Sequence, residues 1–116
     1  MFDSRENPRI GASIPVAIRF QDGEATEGWG RLLDISMTGA RLESRWPHRV
    51  GQNVDLHFEI EEGLVLRDIK ARVTRVGWKE GYYQVGLAFD TTPLGKARLR
   101  EALTVLLNRD NKQPGA

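Results

Sequence analysis

Apolar and polar residues alternate with a period of two through most of this chain, and that alternation constrains the fold more than any other feature. Successive side chains of a strand point to opposite faces, so alternation marks a strand with one face buried. Ile14, Val16, Ile18 and Phe20 alternate with Pro15, Ala17 and Arg19. Val54, Leu56, Phe58 and Ile60 alternate with Asp55, His57 and Glu59, and Tyr83, Val85, Leu87 and Phe89 form a last run. Around residues 28 to 36, Trp29, Leu33 and Ile35 share one parity, with Arg31 as the exception, while Asp34 and Ser36 share the other. Thr38-Gly39 breaks that run, and Ala40, Leu42 and Ser44 begin another short strand before a connecting loop over residues 45–52. Ile69, Ala71 and Val73 lie on a long strand whose apolar parity then slips to Val76 and Trp78, which predicts a bulge or bend.

Asp22-Gly23, Glu61-Glu62-Gly63 and Glu80-Gly81 supply turns. Six short strands joined this way point to an antiparallel barrel or sandwich. The end of the chain differs. Thr92-Pro93 reads as an N-cap followed by proline at the first helical position. Leu99, Leu103, Leu106 and Leu107 then follow helical spacing, which predicts a helix over residues 93–108 laid on the sheet. The expected fold is therefore mainly β: a six-stranded antiparallel barrel with a C-terminal α-helix. Residues 1–13 form a flexible arm, 14–110 the barrel and helix, and 111–116 a polar tail that frays.

Composition narrows the function. At 116 residues the chain holds one modest core. Seventeen basic and sixteen acidic side chains leave a charge of +1, which argues against a life of non-specific attraction to nucleic acid or anionic membrane. The absence of cysteine removes disulfides, thiolate metal sites and cysteine nucleophiles. No apolar run reaches the roughly 20 residues of a membrane helix, and the polar start lacks a signal-peptide core, so a cytoplasmic protein is expected. Thirteen of the seventeen basic residues are arginine, which fits either a GC-rich genome or a taste for phosphate and guanine edges.

Catalysis finds little support. His48 lies in a loop, His57 sits at a polar-face strand position, and neither has metal-ligand spacing. Ser36 and Asp34 have no histidine tied to them by sequence, and Glu61-Glu62 reads as a solvated turn. No catalytic residue, metal or cofactor is assigned.

Two segments are more informative. Arg5-Glu6-Asn7-Pro8-Arg9 places two arginines four apart before the first strand, a spacing that Arg41/Arg45 and Arg45/Arg49 repeat. Asp34-Ile35-Ser36-Met37-Thr38-Gly39 presents a carboxylate and a hydroxyl on the face opposite Ile35, and Gly39 permits a left-handed turn or lets a ligand approach the backbone. Singly, these fit solvated arginines and a polar strand end closed by a glycine turn. Together and in this order, they resemble the Arg-x-x-x-Arg and Asp/Asn-x-Ser-x-x-Gly motifs of the PilZ domain family. Asp34 to Leu42 is similar to the family's core signature, and Val73 to Trp78 and Val85 to Phe89 to its later strands.

The resemblance implies a bacterial second-messenger receptor that binds cyclic di-GMP on a PilZ-type β-barrel. It implies that Arg5 and Arg9 fork onto phosphate and guanine, that Asp34 accepts from the guanine N–H edge, and that Ser36 adds a hydroxyl contact. Gly39 would keep the surface open beside the ligand. Trp78 is a further ligand candidate by stacking on a guanine, and equally fits a rim or sub-helix packing role; Arg41 is a weaker one. Ser4 stands where many members carry another arginine that holds a second ligand, which implies one cyclic di-GMP per chain. Ligand would order the arm and create a surface for a downstream protein partner, acting in trans, with the domain a monomer or weak homodimer. Three alternatives stand beside this: a PilZ-like adaptor that works by protein contacts without ligand, a barrel for single-stranded nucleic acid, and an enzyme.

Overall fold

The structure, a computed structural model, describes residues 9–21, 27–61 and 63–112. Six strands form: β1 (Ile10–Phe20), β2 (Glu27–Ile35), β3 (Gly39–Ser44), β4 (Asn53–Glu61), β5 (Leu64–Lys79) and β6 (Tyr82–Phe89). A single helix, α1 (Pro93–Lys112), follows. The strands close into an antiparallel barrel in the order β1-β2-β3-β6-β5-β4. Pairing of β1 with β4, Val16 opposite Phe58 through Phe20 opposite Val54, completes the ring and leaves no open edge. The expected barrel class is thus the observed one.

β1 begins at Ile10, so Ile10 to Ser13 belong to the barrel and not to an arm ending at residue 13. Ile10 is buried and shares the parity of Ile14, Val16 and Ile18, but Gly11, Ala12 and Ser13 between them carry no large apolar side chain, which hides this start from a period-two pattern. The helix starts at Pro93 as expected. Thr92 caps it, its side-chain oxygen accepting from the Gly95 N–H at 3.1 Å and its carbonyl from the Lys96 N–H at 2.9 Å. Leu99, Ala102, Leu103 and Leu106 enter the core, whereas Leu107 stays exposed, so Ala102 takes the place expected of Leu107. α1 packs on β5, β1 and β4.

The barrel interior is filled by Val16, Ile18, Leu32, Ile35, Leu42, Leu56, Leu66, Ile69 and Val73, each all but inaccessible to solvent. Burial of one such side chain stabilises by roughly 1.5–3 kcal/mol. One parity expectation fails here. Leu32, not Leu33, faces the core, and Trp29 is 65% exposed. A bulge between Leu32 and Asp34 inserts Leu33 as an extra residue opposite β3. The bulge lets both Leu32 and Ile35 point inward, and it makes Arg31 an ordinary outward residue. The bulge expected beyond Val73 is present, with the register shifting between Val73 and Arg75. At the β5–β6 hairpin, Lys79 pairs with Tyr82 and both Glu80 and Gly81 have positive φ, the geometry of a two-residue turn matched to strand twist.

Among the described residues no helix is long and apolar enough to cross a membrane.

Candidate functional site

The bulge at Leu33 sets the site. It turns Asp34 outward at the end of β2, where it pairs with Arg41 of β3 and Gly11 of β1. Arg9 lies one residue before β1, beside the same strand end. Its Nη1 donates to Asp34 Oδ1 at 2.7 Å, and Arg41 Nε donates to Asp34 Oδ2 at 2.6 Å. The Asp34 side chain is only 8% exposed, while those of Arg9 and Arg41 are 57% and 48% exposed. A buried carboxylate therefore holds two half-exposed guanidiniums in place. Arg41 spends one of its five N–H donors on this contact, and its two terminal nitrogens have no hydrogen-bond partner among the described residues. The triad carries a net positive charge, directed away from the barrel.

The row continues across the sheet. Arg41 pairs with Gly86 of β6, and Gly86 with Arg75 of β5. β6 separates the two arginines, so their backbones lie about 10 Å apart. Gly86 offers no side chain between them, and the space above it is bordered by Thr74 Oγ1 and Arg75 Cβ, 3.3 and 3.5 Å from where a Cβ at Gly86 would stand. Such a surface suits a planar, anionic ligand: guanidiniums fork onto phosphate oxygens and stack on rings. Arg75 and Gly86 escaped the sequence reading because their neighbourhood depends on pairing between β5, β6 and β3. The only local signal was the parity slip after Val73.

The other expected site residues lie differently. Ser36 is buried, and its hydroxyl closes the β2–β3 turn. It accepts from the Thr38 and Gly39 N–H groups at 3.2 Å, and contacts the Gly39 carbonyl at 3.2 Å and the Thr38 hydroxyl at 3.3 Å. It does not share an open face with Asp34, because β2 ends at Ile35 and the chain turns beneath it. No histidine is among the hydrogen-bond partners of Ser36.

Gly39 is buried and its φ lies outside the left-handed region. A Cβ there would stand 2.2 Å from the Leu87 carbonyl oxygen. The close approach is that of β6, so the expectation that Gly39 keeps a surface open beside a ligand does not match its surroundings.

Trp78 pairs with Tyr83, three residues along β5 from Arg75, or about 10 Å. The extra residue at the β5 bulge gives Val76 and Trp78 the inward parity. Trp78 nevertheless stands past the end of the core, 63% exposed, with its ring edge-on to Tyr83 at 4.7 Å. The structure thus groups Arg9, Asp34 and Arg41, and sets Trp78 apart from them. Arg5 lies outside the described residues.

Comparison with known proteins agrees with this architecture. The PilZ domain of YcgR from Escherichia coli, solved with c-di-GMP, superposes with a TM-score of 0.75 at 14% identity, covering 97% of this chain and 99% of that one. The MrkH–c-di-GMP complex from K. pneumonia matches with a TM-score of 0.74 at 18% identity over 97% of this chain, which spans 56% of the MrkH chain. The PilZ domain of CeSA from a cellulose-synthesizing bacterium matches with a TM-score of 0.63 at 23% identity, covering 88% of this chain and 97% of that one. No curated protein matches the chain in sequence. The family model of the PilZ domain matches residues 3–106, from before Arg5 to the last buried leucine of α1, and the chain therefore belongs to the PilZ domain family.

Proposed function

We propose that this domain is a receptor for cyclic di-GMP that passes the signal to a partner protein. The observation that carries the proposal is the Arg9–Asp34–Arg41 triad, in which a buried carboxylate presents two guanidiniums beside Gly86 and Arg75. Family membership and the c-di-GMP in the YcgR and MrkH structures support it. Arg9 and Arg41 reach phosphate or guanine O6/N7 with the donors that Asp34 leaves free, and Arg5 comes from the preceding segment. Each charge-assisted hydrogen bond contributes about 1.5–3 kcal/mol. Asp34 has spare lone pairs for a guanine N–H, but its first role is to position the arginines. Gathering the segment that carries Arg5 around the ligand changes the surface next to β1, which a partner then reads. Ser4 leaves no guanidinium for a second ligand.

Calorimetric titration with cyclic di-GMP tests this, with GTP and cyclic di-AMP as controls. Saturation near one ligand per chain is expected, with affinity at least tenfold weaker in Arg9→Ala and in Asp34→Ala. Hydrogen exchange over residues 2–10 should slow on saturation. Absence of both heat and thermal stabilisation in the native chain would sink the proposal.

A second reading has its own observation in favour. Ser36 and Gly39 already serve the turn and the β3–β6 contact, so part of the motif has structural work without any ligand. An adaptor acting by protein contacts alone would keep these residues and show no cyclic di-GMP heat.

A further inference from the structure

We propose that the outer groove between Trp29 and the Arg45–Tyr82 pair docks an acidic, aromatic-bearing segment of a partner protein. The groove encloses about 340 Å³ across β2, β3 and β6. Trp29 forms one wall. Outward parity places it there, and at 65% exposure it contributes little to the core. Arg45 and Tyr82 form the other wall. The Arg45 guanidinium lies 5.1 Å from the centre of the Tyr82 ring, and its Nη2 donates to the Tyr82 hydroxyl at 3.2 Å. Gly30 and Ser44, opposite one another in register, form the base. The groove spans two inter-strand spacings, about 10 Å, which is the width of one extended peptide.

Charge selects the occupant. Arg31 hydrogen-bonds only the Ser13 hydroxyl, at 2.9 Å, and neither Arg31 nor Arg45 has a carboxylate partner among the described residues. Lys79, opposite Tyr82, adds a third exposed cation. Three cations beside an open indole and a phenol match carboxylates flanking an aromatic ring. Trp, Tyr and Arg are also the residue types that dominate binding energy at protein interfaces. Glu43, on the same groove, favours a peptide over nucleic acid. A phosphate backbone carries a charge at every unit and must pass its carboxylate, whereas a peptide can give Glu43 main-chain N–H groups and turn its acidic side chains towards the cations. Trp29 lies five residues along β2 from Asp34, about 16 Å, so a docked segment leaves the triad uncovered.

The test uses the full chain and a synthetic peptide, Asp-Glu-Asp-Phe-Glu-Asp-Glu. A peptide with lysine at every acidic position and a twelve-residue oligothymidylate serve as comparisons. The acidic peptide should shift the Trp29 indole N–H resonance saturably, with affinity falling as salt rises. Trp29→Ala and Arg45→Ala should each weaken it at least tenfold, with melting temperature and cyclic di-GMP titration unchanged. Loss of cyclic di-GMP heat in the native chain would strike the receptor proposal and leave this one standing. No shift at Trp29, equal binding by the variants, or stronger perturbation by the oligonucleotide would each overturn the docking site.

Discussion

Gly39 is held by sterics alone. β3 runs against β6 so closely that a methyl group at residue 39 would meet the Leu87 carbonyl oxygen. Gly39→Ala must push the strands apart or tilt the β2–β3 turn, and overpacking of this kind costs about 1–3 kcal/mol. We expect a lower urea midpoint with unchanged slope, and the loss should be larger than for an alanine at Gly11, where a Cβ meets nothing within 4 Å. Equal stability of the two variants would show that the turn yields. Asp34 illustrates the other residue-scale lesson. Its place in the motif was plain from the sequence, as was its parity opposite Ile35. Its two partners were not, because Arg9 and Arg41 lie 25 and 7 residues away and meet it only through pairing of β1, β2 and β3.

At the scale of elements, the bulges do most to aim side chains. A one-residue shift in a strand exchanges its two faces. Leu33 is the inserted residue of β2, so its deletion restores an unbroken alternation in which Leu32 and Ile35 still face inward and Asp34 still faces outward opposite Arg41. The cost falls on β1, where the stretch between Gly11 and Ile14 would face one residue fewer of β2. Deletion of Leu33 should therefore leave a folded domain that is destabilised by about 1–3 kcal/mol. Leu33→Ala, which keeps the bulge, should lose under about 1.5 kcal/mol. Chemical denaturation of both distinguishes the bulge from the side chain. The β5 bulge was legible because Val76 and Trp78 break the parity of Ile69, Ala71 and Val73 in plain sight. The β2 bulge was not, because Leu32 and Leu33 are both leucine and either could be taken as the inward one.

Closure of the whole barrel creates an acid-sensitive point far from the triad. The connection between β3 and β4 folds over one end and buries His48 against Phe20, ring centres 5.4 Å apart. Neither ring nitrogen has a hydrogen-bond partner among the described residues. Desolvation lowers the His48 pKa to about 4, against 6.5 for a free histidine. Between pH 6.5 and 4 the unfolded chain holds a proton that the folded chain refuses. Stability from this group is complete above pH 6.5 and is lost as pH falls towards 4, with a slope no steeper than about 1.4 kcal/mol per pH unit. His48→Phe should flatten the acid limb in denaturation series run between pH 4 and 7. An unchanged slope would mean that His48 titrates freely in the folded protein.

The alternation, the turn residues, the Thr92-Pro93 cap and the two motifs determined a six-stranded barrel with a terminal helix and the family it resembles. These are local signals, carried by side-chain period and backbone chemistry within a few residues of one another. Tertiary structure alone decided which motif residues converge. It joined Arg9 and Arg41 through Asp34, brought Gly86 and Arg75 alongside, closed Ser36 and Gly39 into a turn, and left Trp78 at the opposite rim. The physical reason is that strand register and bulge placement are set by the summed packing of a closed core. Residues far apart in sequence become neighbours only when that core forms.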